Sequence, residues 1–295
     1  MREVPGPTVL PGVVDHHVHL GLVDARSLRT SPVVEVHDLG GDPAQIGGLA
    51  HRLAPHVRVR YAGPFHTAVG GYPAGRAWAP AEAVREVTGA ADAVTAVSEA
   101  RAAGAFAVKV ALHAGMPLLA DDRLHALVAA ARRAGLPVVI HAEGEGQAAR
   151  AVAAGAAALA HTPWTERISD AVVRAAVGRG MRWVSTLAIH DGTDLAVAID
   201  NARRFVAIGG DLRYGTDLGN GPSPPGVNDA EILLLGECGL AGEALIRAVC
   251  GSATAAGASV AIENDEPVPV DAAGLVAWLA GARRTATSPE GKDQP

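Results

Sequence analysis

The sequence predicts a parallel α/β fold, with a single-domain (β/α)8 TIM barrel as first choice. Three observations carry this expectation. Eight short runs rich in β-branched residues alternate with Ala-rich stretches of helical character. The 295 residues fit one such barrel, which takes about 250. Apolar residues make up 49% of the chain and aromatics only 3%, so a large core is available and must be built from Ala, Val and Leu.

The strand candidates are residues 13–19, 33–39, 57–62, 106–112, 138–141, 157–161, 182–187 and 212–216. Residues 121–134 and 169–179 read as helices, with Asp121 and Ser169 as N-caps and Gly135 and Gly180 as stops. The segment 21–32 is short for a helical crossover. Beyond Asp217, LGNGPSPPGVND is a loop, 229–237 and 241–254 look helical, and 260–270 is a Pro-broken strand remnant. The expected domain spans 1–281, and 282–295 is expected to be a disordered tail.

Bulk properties exclude several function classes. A formal charge of −6 argues against nucleic acid as a partner. No stretch of about 18 apolar residues lacks charge or Pro, so no membrane span is expected. The N-terminus, MREVPGP, forms no signal-peptide apolar region. Cys238 and Cys250 have no metal or redox spacing, and a cytoplasmic protein with free thiols is the simplest reading. A small-molecule substrate is the expected partner, and a homo-oligomer is left open.

Polar residues gather at strand ends. The segment PGVVDHHVHL holds three histidines, but strict alternation puts Asp15, His17 and His19 on one face and His16 on the other. In AFAVKVALH, Ala107, Lys109, Ala111 and His113 share the inner face. A lysine among alanines inside a strand is costly without a partner. Two further strands run into His141 and His161, and another into Asp217. Each of these has a bland explanation alone: a satisfied polar histidine, a turn-capping aspartate, a snorkelling lysine. Six metal-compatible groups at strand ends, where a barrel carries its active site, point instead to a metal centre.

With these residues in hand, the chain resembles the amidohydrolase superfamily of metal-dependent hydrolases over residues 9–255, with its imidazolonepropionase-like and prolidase-like group nearest. The motif Asp15-x-His17-x-His19 looks like the family's first-strand motif. Lys109 stands where the binuclear branch carries a carbamylated lysine, and His141, His161 and Asp217 match the later ligands. The stretches EVHDLGG, AGPFHTAVGGYPAG, HAEGEGQAARAVAAGAAALAHTPWTE and GTDLG read like the same group. The resemblance implies two divalent metals. Zn2+ comes first for this ligand set, ahead of Mn2+ or Fe2+. One would be held by His17, His19, Asp217 and Lys109, the other by Lys109, His141 and His161. It also implies a CO2-derived carbamate on Lys109, and Asp217 as the catalytic proton carrier. Relatives open and close with a small β-sandwich, here expected to be reduced or absent, and often carry arginine where this chain has His37.

The reaction expected from the resemblance is hydrolysis of a cyclic or peptide-like amide. Lactone, ester or phosphotriester hydrolysis is the alternative, since one activated water serves all of these. A deaminase is disfavoured because Lys109 implies two metals, and a non-hydrolytic metal-binding barrel stays open. Candidate substrate contacts are His113, His190, Tyr72 and Trp164, each with packing as its bland explanation. Arg58 and Arg60 with Glu35 read as a buried ion network.

Overall fold

The computed structural model describes residues 6–251 and 260–285. Strands are β1 (Thr8–Pro11), β2 (Val13–Val18), β3 (Val33–Asp38), β4 (Arg58–Tyr61), β5 (Phe65–Thr67), β6 (Val84–Glu86), β7 (Val108–His113), β8 (Val138–Glu143), β9 (Ala158–Leu159), β10 (Arg182–Val184), β11 (Asp211–Arg213), β12 (Ala261–Asn264) and β13 (Arg283–Arg284). Helices are α1 (Pro43–Leu53), α2 (Ala90–Ala102), α3 (Asp121–Arg133), α4 (Gln147–Ala154), α5 (Asp170–Gly178), α6 (Gly192–Ala207), α7 (Asp229–Glu237), α8 (Gly242–Cys250) and α9 (Ala272–Gly281). All eight expected strands are present. No helix is long and apolar enough to cross a membrane.

The architecture is mixed α/β. A seven-stranded parallel sheet runs in the order β11-β10-β9-β8-β7-β5-β6, beside a three-stranded parallel sheet β2-β3-β4. Backbone hydrogen bonds join the two sheets at both edges. On one side Phe106 N donates to Tyr61 O at 3.0 Å, and Phe65 of β5 then pairs with Lys109 of β7, so β5 continues the path of β4. On the other side His16 N donates to Tyr214 O at 3.0 Å, Asp217 N to His17 O at 2.8 Å and His19 N to Leu218 O at 2.7 Å.

Period-2 alternation sorts the two faces. Val108, Val110 and Leu112 of β7 belong to the main core, with Leu124, Leu127, Val128 and Ala131 of α3. Ala107 belongs to a second cluster with Leu39, Ala62, Val139, Ala158 and Ala160, capped by Phe106. Small side chains on this second face leave space near the strand ends.

Local chemistry follows the sequence with exceptions. Ser169 caps α5, its Oγ accepting from Val172 N at 3.3 Å. Asp121 does not cap α3; Ala120 holds that position, and the Asp121 carboxylate accepts from Arg150 Nε at 2.8 Å instead. The segment after β2 forms only the 3-10 turns Leu20–Leu22 and Ala25–Thr30 before β3 begins.

The termini correct two expectations. The flanking sheet is not lost: β1 pairs antiparallel with β12, Thr8 against Asn264 through Pro11 against Ala261, and β12 pairs with β13. Arg283 and Arg284, assigned by sequence to a disordered tail, form β13. The reason is the Arg284 guanidinium, which donates to Ser31 O at 2.8 Å, Leu28 O at 3.0 Å and Val33 O at 2.6 Å and so fastens the segment to the start of β3. Residues 286–295, and the end of the 241–254 helix expectation, lie outside the described residues.

Glu231 of α7 is fully buried and accepts from Leu187 N at 2.9 Å and Ala188 N at 2.6 Å, holding the turn Leu187–Ile189. Burial pushes its carboxyl up to about 7, against the pull of Ser185 and those amides. A carboxyl raised on folding binds more protons folded than unfolded, so its contribution is complete below the usual 4.5 and is lost as pH rises through about 7. Denaturant melts from pH 5 to 8 are expected to show a falling stability contribution of up to about 3 kcal/mol from this group. Glu231→Gln is expected to flatten that slope, whatever it costs in absolute stability.

Candidate metal centre and its pocket

The six strand-end groups meet. His17, His19, Lys109, His141, His161 and Asp217 all line one cavity of about 450 Å3 at the C-terminal ends of the parallel strands.

The tightest part is a triangle. His17 Nε2 lies 3.2 Å from His19 Nε2, and each lies 3.2 Å from Asp217 Oδ1. His17 Nδ1 faces Ala160 O at 2.8 Å and His19 Nδ1 faces Gly40 O at 2.9 Å. A carbonyl oxygen only accepts, so both Nδ1 atoms carry a proton, and in the neutral rings both Nε2 atoms present lone pairs. Asp217 Oδ1 is buried with no hydrogen-bond donor, while Oδ2 accepts from Asn220 Nδ2 at 2.9 Å. Three lone-pair donors at this separation suit a shared cation: ligands about 2.0–2.1 Å from a tetrahedral zinc sit roughly 3.3–3.4 Å apart. The outward Nδ1–H bonds are the usual way of orienting metal-binding histidines. Burial opposes ionisation of Asp217, but the attraction of His17 and contact with His19 hold its carboxyl well below the usual range.

Backbone strain marks this region. Asp217 (φ 51°) and Thr186 (φ 45°) are the non-glycine residues in the left-handed region among those described. Thr186 Oγ1 meets His161 Nδ1 at 2.9 Å. Gly40, whose carbonyl orients His19, admits no side chain, because a Cβ there would stand 2.2 Å from the Phe65 ring.

The His161 ring lies 4.6 Å from that of His17 and 4.9 Å from that of His141, centre to centre, so the four rings run in series. Lys109 is 1% exposed, with its Nζ 5.7 Å from the centre of the Phe65 ring. Burial pushes its amine down to about 7, although Asp217 and Asp38 attract the charged form. Among the described residues no carboxylate forms an ion pair with it.

Sequence reasoning missed Glu143. Its Oε2 lies 3.0 Å from His141 Nε2 and 2.8 Å from His113 Nδ1, the latter at ion-pair distance without hydrogen-bond geometry. Burial would raise its carboxyl, but the hydrogen bond from His141 holds it below the usual value. The signal was available: Glu143 follows His141 by two, on the same strand face. His113, Glu143 and His141 form a second group of atoms within 4.8 Å of one another.

The substrate-contact candidates separate. Tyr72, Trp164 and His190 line the cavity; His113 sits behind it, stacked on Tyr72 at 4.9 Å. Burial, with Asp217 and Glu143 nearby, raises the Tyr72 phenol to about 12, so it keeps its proton. His190 stacks on Trp164 at 4.8 Å, and its Nε2 is a buried atom without a partner. Phe65 and Trp78 also line the cavity and escaped sequence reasoning.

Asp15, not His16, departs from the alternation argument. The β2–β3 register shifts between Asp15 and Val18, breaking strict period two. His16 lines a separate cavity with His37, Arg60, Phe106 and Arg182, its Nδ1 3.2 Å from His37 Nδ1. Asp15 leaves the histidine face and accepts from Thr216 Oγ1 at 2.6 Å, and from Thr216 N and His17 N at 3.1 Å. The expected Arg58–Arg60–Glu35 network is looser. Glu35 bonds His37 at 2.8 Å, half-exposed Arg58 stays 3.7 Å away, and Arg60 stacks on Phe106.

No protein-family model and no curated protein matches the sequence. Solved structures match in fold. An Xaa-Pro dipeptidase with methionine bound in its active site aligns with a TM-score of 0.73 at 18% identity, covering 94% of this chain and 84% of that one. An amidohydrolase structure aligns at 0.74 and 18% identity, covering 97% and 88%. The ochratoxinase of A. niger aligns at 0.66 and 17% identity, covering 88% and 77%. At such identities the likeness is one of fold, and it agrees with the resemblance read from the strand-end residues.

Asp15 holds the centre together without belonging to it. Asp15→Ala leaves two buried N–H groups and a hydroxyl without a partner and is expected to cost about 3 kcal/mol in urea unfolding. Asp15→Asn keeps an acceptor for both amides and is expected to cost less than about 1 kcal/mol.

Proposed function

We propose that this chain is a metal-dependent amidohydrolase of the amidohydrolase superfamily, hydrolysing a C–N bond at a binuclear centre. The observation that carries the reading is the triangle of His17 Nε2, His19 Nε2 and Asp217 Oδ1, three potential metal-donor atoms 3.2 Å apart at the ends of parallel strands. The hydrogen bonds joining the two parallel sheets at both edges support an eight-stranded barrel: β2, β3, β4 with β5, then β7 to β11. The fold likeness to an Xaa-Pro dipeptidase, an amidohydrolase and ochratoxinase is consistent with it.

His17, His19 and Asp217 would hold one ion, and His141 and His161 the other, with zinc the first choice for nitrogen and oxygen donors. Lys109 would join the two. Its neutral amine adds CO2 and loses a proton, turning a buried cation into an anionic oxygen donor. A metal pair supplies Lewis acidity: it acidifies water and polarises the carbonyl. The chain's own residues do the rest. Asp217 takes the proton of the attacking water on Oδ2, the oxygen that Asn220 already orients, and returns it to the leaving nitrogen as the C–N bond breaks. The Tyr72 hydroxyl keeps its proton, and it and His190 Nε2 are available to donate to the carbonyl oxygen as charge builds there. Buried, unpaired Cys238 and Cys250 are in keeping with a cytoplasmic setting.

Metal content per chain, measured by plasma mass spectrometry on protein grown with zinc and bicarbonate, tests the centre. About two zinc ions are expected in the wild type, and fewer in Lys109→Ala. One ion or none, unchanged in the variant, would sink the bridged centre. Because Lys109 and Lys292 are the only lysines, 13C-labelled CO2 should give a carbamate resonance that disappears in Lys109→Ala. Asp217→Asn is expected to lower kcat at least about a hundredfold with little change in KM. Unchanged kcat would remove Asp217 from the proton path.

A further inference from the structure

The chain has three Phe, four Trp and three Tyr, and four of these ten residues line the one cavity: Phe65, Tyr72, Trp78 and Trp164. Aromatics are 3% of the chain and a quarter of that lining. Core packing does not account for all of them, since Trp78 is 37% exposed at the rim, unlike the buried core aromatics Trp183, Phe205, Tyr214 and Trp278.

The rings form two walls. Phe65 and Tyr72 flank Trp78, each about 6.0 Å from it, centre to centre. Opposite them Trp164 is backed by His190. The walls converge on His141, where Tyr72 stacks at 5.3 Å and Trp164 meets the ring edge-on at 5.8 Å. Apart from the proposed metal centre itself, the side chains between them offer an incoming anion little. Among the described residues the lining holds no arginine, one lysine, which is Lys109 itself, and the carboxylates of Glu143 and Asp217. The guanidinium of Arg76 lies 5.9 Å from the Tyr72 ring centre and reaches Met116 Sδ at 3.8 Å, without lining the cavity.

We infer that this pocket selects neutral substrates with a flat or compact apolar group beside the scissile bond, held between the Tyr72–Trp78 and Trp164 walls, and rejects substrates bearing a free carboxylate there. The stacking walls supply the affinity and Glu143 supplies the rejection. The inference deepens the proposed hydrolytic reading, but the preference itself is a binding property and is measured as one.

A matched pair tests it: N-benzoylpyrrolidine and N-benzoylproline, which differ only by a carboxylate. Affinities are measured by calorimetry on zinc-loaded protein and again after chelation, where no carboxylate–zinc contact contributes. The chelated ranking decides. The neutral amide is expected to bind at least about tenfold more tightly, and Trp78→Ala, a change at an exposed site, to weaken it about fivefold. Tighter binding of N-benzoylproline, lost in Arg76→Gln, would overturn the inference and assign Arg76 as a carboxylate clamp. Equal affinities, or no binding of either, would overturn it too. Turnover is scored separately. The expected ranking without hydrolysis would retire the hydrolase and keep the pocket preference, whereas faster hydrolysis of the proline compound would do the reverse.

Discussion

Everything at the candidate centre depends on a junction between residues 15–19 and 214–218, two segments some two hundred positions apart in the chain. Asp15 accepts three hydrogen bonds there, two of them from Thr216, and Asp217 N donates to His17 O. These contacts set the distance between two histidines from the first parallel strand and a carboxylate just past the last one. They also join the edges of two sheets, through the same atoms that bring the candidate metal ligands together. A loss here therefore falls on stability and on metal binding together.

The surrounding structure tolerates what it would avoid elsewhere. Asp217 and Thr186 occupy left-handed backbone, Lys109 is buried without an ion pair, and Asp217 Oδ1 has no donor. Each such feature costs on the order of 1–3 kcal/mol when nothing compensates it. Lys109 and Asp217 line one cavity and Thr186 touches its His161, and local rules are most often broken where a ligand completes the arrangement. A shared cation satisfies the orphaned oxygen and the converging nitrogens at once.

How much of this was legible in the sequence varies with the range of the interactions. Eight strands were readable because β-branched runs alternate with alanine-rich ones, and His17, His19, Lys109, His141, His161 and Asp217 were readable because each sits at the end of such a run. Asp15 was misplaced because a register shift is a pairing event between β2 and β3, invisible in either strand alone. The flanking sheet was underestimated because β1 and β13 are four and two residues long, and only pairing with β12 defines them. Glu143 was passed over although it shares a face with His141. His113 was put on the cavity wall by the same parity, whereas Tyr72, arriving from a distant loop, lies across it.

Lys109 brings these strands of argument together. The chain meets nearly every need for a cation with arginine, twenty-three times, and uses lysine only at positions 109 and 292. Arginine fits the carboxylate pairs found over the surface, as where Arg85 grips Asp92 and Glu99, because its planar fork matches a carboxylate and keeps its charge. Those properties disqualify it from a buried strand position lined by alanine. A guanidinium there would stay cationic beside any bound metal. An amine that burial brings down to about 7 can lose its proton, and the neutral form is the one able to take up CO2. On the proposed carbamate reading, the residue type at 109 would follow from a requirement for reversible charge, and the small neighbours Ala107 and Ala111 would leave room for the added group.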